Sequence, residues 1–160
     1  MLNTPFAAPE GEARRLLPLR GAGRNLFAFI KGRERMFSHI FVGSNDIERS
    51  KKFYDATLGA LGVAPGVVDP KGRLFYMTPA GIFGVSRPID GKGATHANGG
   101  TIGFAAKTPA EADAWHKAGV AAGGTAIEDP PGVREGGGPK LYLAYLRDPD
   151  GNKLCALHRM

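Results

Sequence analysis

The sequence predicts an α+β fold made of two β-α-β-β-β modules, and three observations carry that reading. The chain repeats itself at an offset of 62 residues: Ile40 falls on Ile102, Asp46 on Thr108, Phe53 on Trp115, Ala56 on Ala118, Leu58 on Val120 and Gly62 on Gly124. Each copy opens with a short alternating run, continues with apolar residues at helical spacing, and closes with further alternating runs. The chain ends in a hairpin signal, Asp148-Pro149-Asp150-Gly151, between alternating runs at 141–146 and 153–157. Proline presets φ at the second turn position and glycine supplies freedom where a side chain would clash. A module whose sheet is apolar on one face cannot bury itself alone, so the two must pack together.

The elements follow in order. Residues 37–43 alternate as a strand, and Ser44-Asn45-Asp46 then offer N-cap oxygens to a helix. That helix sets Ile47, Tyr54, Leu58 and Leu61 on one face with Phe53 beside them, and stops at 59–62. Strands are expected at about 63–69, 73–78 and 81–87, separated by Pro70-Lys71-Gly72 and Pro79-Ala80-Gly81. A glycine-rich linker covers 90–100, and a strand at 101–106 opens the second module. Thr108-Pro109-Ala110-Glu111 is a capping box with proline at the first helical position. The second helix runs to Gly123-Gly124, and strands near 125–129, 141–147 and 152–158 complete the chain. The modules are thus 37–98 and 99–158 within a domain of 36–160.

Composition excludes several classes. No apolar run approaches the eighteen or so residues needed to span a bilayer. The net charge of +6 suggests a polyanion partner until it is divided. Residues 1–35 hold seven of the twenty-one Lys/Arg and three of the fifteen Asp/Glu, which leaves fourteen and twelve for the remainder. The folded part therefore makes no case for nucleic acid. One cysteine rules out an internal disulfide and zinc-ribbon spacing, and fits a reducing cytoplasm. Residues 1–35, rich in Pro, Gly, Ala and Arg, read as a disordered tail. They read better as a mistranslated leader with the start at Met36, because Lys31-Gly32-Arg33-Glu34-Arg35 can be encoded by a near-unbroken purine tract, as a bacterial ribosome-binding site would be, just before it.

Between 36 and 158 the duplicated pattern comes with Phe53-Tyr54, Gly84-Val85-Ser86-Arg87-Pro88, Ala97-Asn98-Gly99-Gly100, Ala122-Gly123-Gly124-Thr125 and the turn within 145–152. In this order the set resembles the vicinal oxygen chelate superfamily, which contains glyoxalases, bleomycin-resistance proteins and extradiol dioxygenases. The resemblance implies a curved eight-stranded mixed sheet around a cleft, and a homodimer whose second copy covers open sheet edges. It also implies a divalent metal held by a His on the first strand, a His or Gln on the fifth and a Glu on the eighth. An open site of imidazole and carboxylate ligands binds two neighbouring substrate oxygens as a Lewis acid. The matching positions here are His39, Thr101 and Cys155, so two of three are substituted, and residues 81–87 lack the carboxylate some lyases add.

A hydroxyl is a weak ligand, and a thiol ligates only as thiolate, which favours zinc over harder metals. The expected cofactor is therefore none, or a weakly bound divalent ion with zinc favoured. His39 equally suits a hydrogen-bonded residue lining the cleft, Cys155 a small buried filler and Thr101 an ordinary strand residue. His116 is the repeat partner of Tyr54, His96 lies in the linker, and His158 has the opposite strand parity to Cys155. Phe75, Phe83, Tyr142 and Tyr145 line a cleft or fill a core according to the sheet face they take. Glu135-Gly136-Gly137-Gly138-Pro139 reads as a loop over the cleft, with Arg134 and Lys140 as anion contacts; it precedes a strand, so it is no phosphate-binding turn.

Three functions follow. The first is a binding module that holds a small molecule with a degraded metal site. The second is a metal-dependent lyase of the lactoylglutathione-lyase type, and the third is an extradiol dioxygenase-like enzyme.

Overall fold

The alternating run that opens the first copy forms β1 (His39–Gly43), and α1 (Ile47–Ala60), β2 (Val67–Val68), β3 (Leu74–Thr78) and β4 (Gly81–Ser86) complete the first module. The second contains β5 (Ile102–Ala105), α2 (Pro109–Ala121), β6 (Thr125–Ala126), β7 (Gly132–Arg134), β8 (Leu141–Arg147) and β9 (Lys153–Arg159). This computed structural model describes residues 36–135 and 138–160. The extension at 1–35, with both readings of it, and Gly136-Gly137 of the glycine-rich loop lie outside the described residues.

The helix starts are where the sequence puts them. Asp46 caps α1, accepting from the Arg49 amide at 3.0 Å, and Thr108 caps α2, accepting from the Glu111 amide at 3.1 Å. The return bond of the second box goes one residue upstream of the cap, from the Lys107 amide to Glu111 Oε2 at 2.7 Å.

Four strands form one sheet in the order β1-β4-β3-β2, and β5-β9-β8-β6 form another, with β7 added along β8. In each sheet the first strand pairs in parallel with the last, β1 with β4 and β5 with β9, and the other pairings are antiparallel. The architecture is the expected α+β pair of modules, but nine strands in two sheets replace a single sheet of eight. Two expected strands shrink. The amide of Gly66 donates to Asp55 Oδ1 of α1 at 2.8 Å instead of joining a ladder, which confines β2 to two residues. Glu128 takes φ 60° and Pro130-Pro131 follow, so β6 stops at Ala126. The chain then recovers enough extended backbone to pair Gly132 with Leu143 and Arg134 with Leu141.

Period-two alternation divides each sheet into a helix-covered face and an open one. Val42, Leu74, Tyr76, Phe83 and Val85 of the first sheet and Ala144, Leu146, Leu154 and Ala156 of the second join one buried core with Phe53, Tyr54, Leu58 and Trp115 of the helices. The helices meet where the repeat brings Thr57 against Gly119: a Cβ on Gly119 would lie 3.0 Å from Thr57 Cγ2 and 2.2 Å from Leu146 Cδ1. Glycine there lets α2 lie close to both α1 and β8.

The β8–β9 turn ties the modules together. Asp148 is buried and accepts from Tyr54 Oη at 2.6 Å, Asn152 Nδ2 at 2.8 Å, and the amides of Asp150 at 3.0 Å and Asn152 at 2.8 Å. Asp150 Oδ1 accepts from the Asn45 amide (3.1 Å), Asn45 Nδ2 (2.9 Å) and Arg49 Nη2 (2.9 Å), and Ser50 Oγ reaches Oδ2 at 3.3 Å. Asn152 Nδ2 also donates to the Gly43 carbonyl at 3.3 Å. The turn of the second module thus closes the β1–α1 junction of the first. Burial raises the Asp150 carboxyl, but the Asn45 and Ser44 hydrogen bonds and the Arg49 charge outweigh it and hold the group below its ordinary value.

Candidate ligand-binding site

On the open face of the first sheet, β1 presents His39, Phe41 and Gly43, register-paired with Ile82, Gly84 and Ser86 of β4. Phe75 of β3 lies beyond Gly84. A row of rings results: His39 meets Phe41 edge-on at 5.8 Å between centroids, and Phe41 meets Phe75 at 5.5 Å and 83°. Phe41 lies over the backbone of Gly84, where a Cβ would be 2.4 Å from its Cε1 and Cζ. Arg73 stacks on Phe75 with its Cζ 5.2 Å from the centroid.

The open face of the second sheet carries Tyr145 and Cys155, opposite each other on β8 and β9, with Gly103 of β5 on the other side of Cys155. Lys153 Nζ stands 4.9 Å over the Tyr145 ring and pairs with Glu128. Glu128 is the one non-glycine residue at positive φ among the described residues, and that backbone places its carboxylate beside Lys153.

Between the sheets the edge strands β1 and β5 do not pair, and they flank a cavity of about 410 Å³. Its walls are mainly apolar, with Ile40, Leu58, Phe83, Ile102 and Phe104 below and His39 at its edge. Phe83 and Phe104 span the seam edge-to-face at 5.3 Å.

The structure thus distributes the sequence-predicted residues unevenly. His39 and Phe75 share the open face of the first module, and Tyr145 and Cys155 that of the second. Phe83 lies on the helix side, buried against Tyr54 with rings 4.9 Å apart, yet forms a wall of the seam cavity. Tyr142 also lies on the helix side and donates to Asp113 Oδ1 of α2 at 2.7 Å. Arg134 Nη2 is held by the Pro130 carbonyl at 2.8 Å, and Lys140 by Glu135 at 2.8 Å.

Sequence reasoning missed Ile82, Lys153 and Glu128. It placed Phe41 on the face of His39 without seeing its row of rings. The signal for that row was the parity of 39 and 41 and the bare Gly84 opposite, which leaves room for a ring.

The three family ligand positions do not fit a metal. Cys155 is 4% exposed and its thiol bonds to the Ala156 carbonyl at 3.5 Å. Burial pushes that thiol above its ordinary value, against the opposing pull of Tyr145, so it is protonated at neutral pH. Thr101 lies exposed one residue before β5, and its hydroxyl is a weak donor to a metal. His39 is the one strong ligand type left, its Nδ1 2.9 Å from Ser38 Oγ. Among the described residues no group of three His, Cys, Asp or Glu could hold an ion. Nor is any helix among them long and apolar enough to cross a membrane.

The family model described as "Glyoxalase/Bleomycin resistance protein/Dioxygenase superfamily" matches residues 36–156. A glyoxalase/bleomycin resistance protein from Albidiferax ferrireducens T118 is 64% identical, over 78% of this chain and 99% of that one, with a TM-score of 0.75. A glyoxalase-related enzyme from Fulvimarina pelagi is 21% identical, over 78% and 88% of the two chains, at a TM-score of 0.58. A lactoylglutathione lyase from Agrobacterium tumefaciens is 20% identical over 76% and 91%, at 0.53. The last two likenesses show the fold alone. No curated protein matches the chain in sequence.

Proposed function

Because the chain belongs to the glyoxalase/bleomycin resistance protein/dioxygenase superfamily, we propose that it binds a small, largely apolar molecule in the seam between β1 and β5, without metal chemistry. The observation that carries this reading is the seam cavity of about 410 Å³, apolar on most sides, with a single imidazole at its edge. Burying an apolar molecule there releases its hydration, and one polar group suffices to orient it. Lyase and extradiol chemistry both need a metal that one imidazole and a protonated thiol hold only weakly. Homodimerisation belongs to the same proposal and is supported by the family likeness and by the open sheet edges.

The test combines metal analysis with a cavity-filling variant. A Cβ on Gly103 meets nothing within 4 Å, so Gly103→Phe enters the seam without a backbone clash. Purified protein is expected to hold metal far below one equivalent and to bind a neutral fluorophore such as N-phenyl-1-naphthylamine. Gly103→Phe is expected to weaken that binding at least tenfold with the thermal midpoint retained. Near-stoichiometric zinc lost in Cys155→Ala, or fluorophore binding indifferent to Gly103→Phe, overturns the proposal.

A further inference from the structure

The row of rings continues away from the seam into a second, larger concavity of about 810 Å³ at the other end of β1. The start of α1, the β2–β3 turn and the end of β4 enclose it. Phe41 forms its floor and is 39% exposed, an unusual degree for a ring fixed by packing on Gly84 and Phe75. Exposed Val68 and Ile89 extend that apolar surface. A ring left bare in a concavity is a platform for another flat apolar body.

Charges stand around this platform, and their pairing decides what fits. Arg73 is already satisfied, since Asp69 Oδ2 accepts from its Nε at 2.9 Å and its Nη2 at 2.6 Å. The side chains of Lys71 and Arg87 line the same concavity and have no hydrogen bond or ion pair among the described residues. The same lining carries Asp46, whose carboxylate caps α1, and Glu48, exposed and without an ion pair among the described residues. Two cations unpaired among the described residues therefore share the lining with one capping and one free carboxylate. Such a weakly positive lining suits one negative charge better than two, because the attraction grows in proportion to charge while the cost of stripping its water grows as the square.

We propose that this groove binds an aromatic monocarboxylate, with its ring on Phe41 and its carboxylate on Arg87, assisted by Lys71. The guanidinium's fork suits a planar carboxylate, and the apolar floor suits the ring. This site goes beyond the seam cavity and stands on different residues.

Calorimetric titration with 3-phenylpropionate, its neutral isostere 3-phenylpropanol, and phenyl phosphate tests the assignment. The carboxylate is expected to bind at least tenfold more tightly than the alcohol and more tightly than the phosphate at pH 7.5. Raising sodium chloride from 50 to 500 mM is expected to weaken the carboxylate and not the alcohol. Arg87→Gln is expected to lose the carboxylate preference while leaving the weak binding of the alcohol unchanged. Glu48→Gln is expected to tighten the carboxylate, and Phe41→Ala to weaken acid and alcohol together. Arg87 is exposed and unpaired among the described residues, so Arg87→Gln leaves folding intact. The thermal midpoint of Phe41→Ala is read beside its titration to separate lost packing from lost binding. Equal binding of acid and alcohol, no effect of Arg87→Gln, tighter phosphate, or no binding at millimolar 3-phenylpropionate each overturns the proposal. Gly103→Phe closes the seam and leaves this groove intact, so the two readings fail separately.

Discussion

Tyr54 carries an unusual burden for one side chain. It is fully buried, and burial together with the neighbouring Asp148 carboxylate pushes its phenol well above the ordinary value. It therefore keeps its proton and donates it to Asp148 at 2.6 Å. Tyr54→Phe removes one donor from a buried carboxylate and is expected to cost about 1–3 kcal/mol in urea unfolding. Asp150 makes the complementary case. Its side chain is 2% exposed and its carboxyl lies below the ordinary value of about 3.9, so the stabilisation it gives is complete above that value. It is lost as pH falls through the lower, folded value. The stability gap between wild type and Asp150→Asn is expected to be constant from pH 6 to 8 and to shrink below about pH 4, as measured by denaturation at each pH. That Tyr54 is buried was legible from helical spacing. Its partner was not, because nothing local marks a carboxylate 94 residues away as its acceptor. The same limit hid Lys71 and Arg87, which are unremarkable lysine and arginine until the fold sets them around one ring.

Elements were legible where local chemistry decides them. Thr108 with Pro109 and Glu111 announces α2, and Thr108→Ala is expected to lower stability by about 1 kcal/mol with the helix retained by circular dichroism. The two short strands were legible but their extent was not, because tertiary bonds trim them. Gly66 turns its amide toward α1, and Glu128 turns the chain toward Lys153, which no period-two pattern records. β7 was hidden beside prolines and glycines that read as loop, although its three residues find a free edge along β8. The helix contact offers a sharper test. Gly119→Ala drives a methyl into Leu146 and Thr57, and is expected to lower the thermal midpoint by the equivalent of about 1–3 kcal/mol.

At the scale of the molecule, the duplication was the strongest signal in the sequence, and it gave the count and order of helices; the parallel pairing within each module came only with the structure. The split into two sheets was invisible to it, because a repeat describes each copy and not the seam between copies. The open edges and the family likeness lead us to expect a homodimer, for which light scattering at micromolar concentration should return twice the chain mass. The β8–β9 turn has one more consequence. Its carboxylates belong to one half of the chain and most of their donors to the other, so neither half carries a complete set. A chain severed between residues 98 and 99 should therefore behave as a fragment-complementation pair. Each piece alone leaves charged or hydroxyl groups without partners, and mixing restores them. Because Asp150 turns more acidic only when the donors of the other piece arrive, reassembly should expel protons in mildly acidic solution and grow weaker as the medium is acidified further.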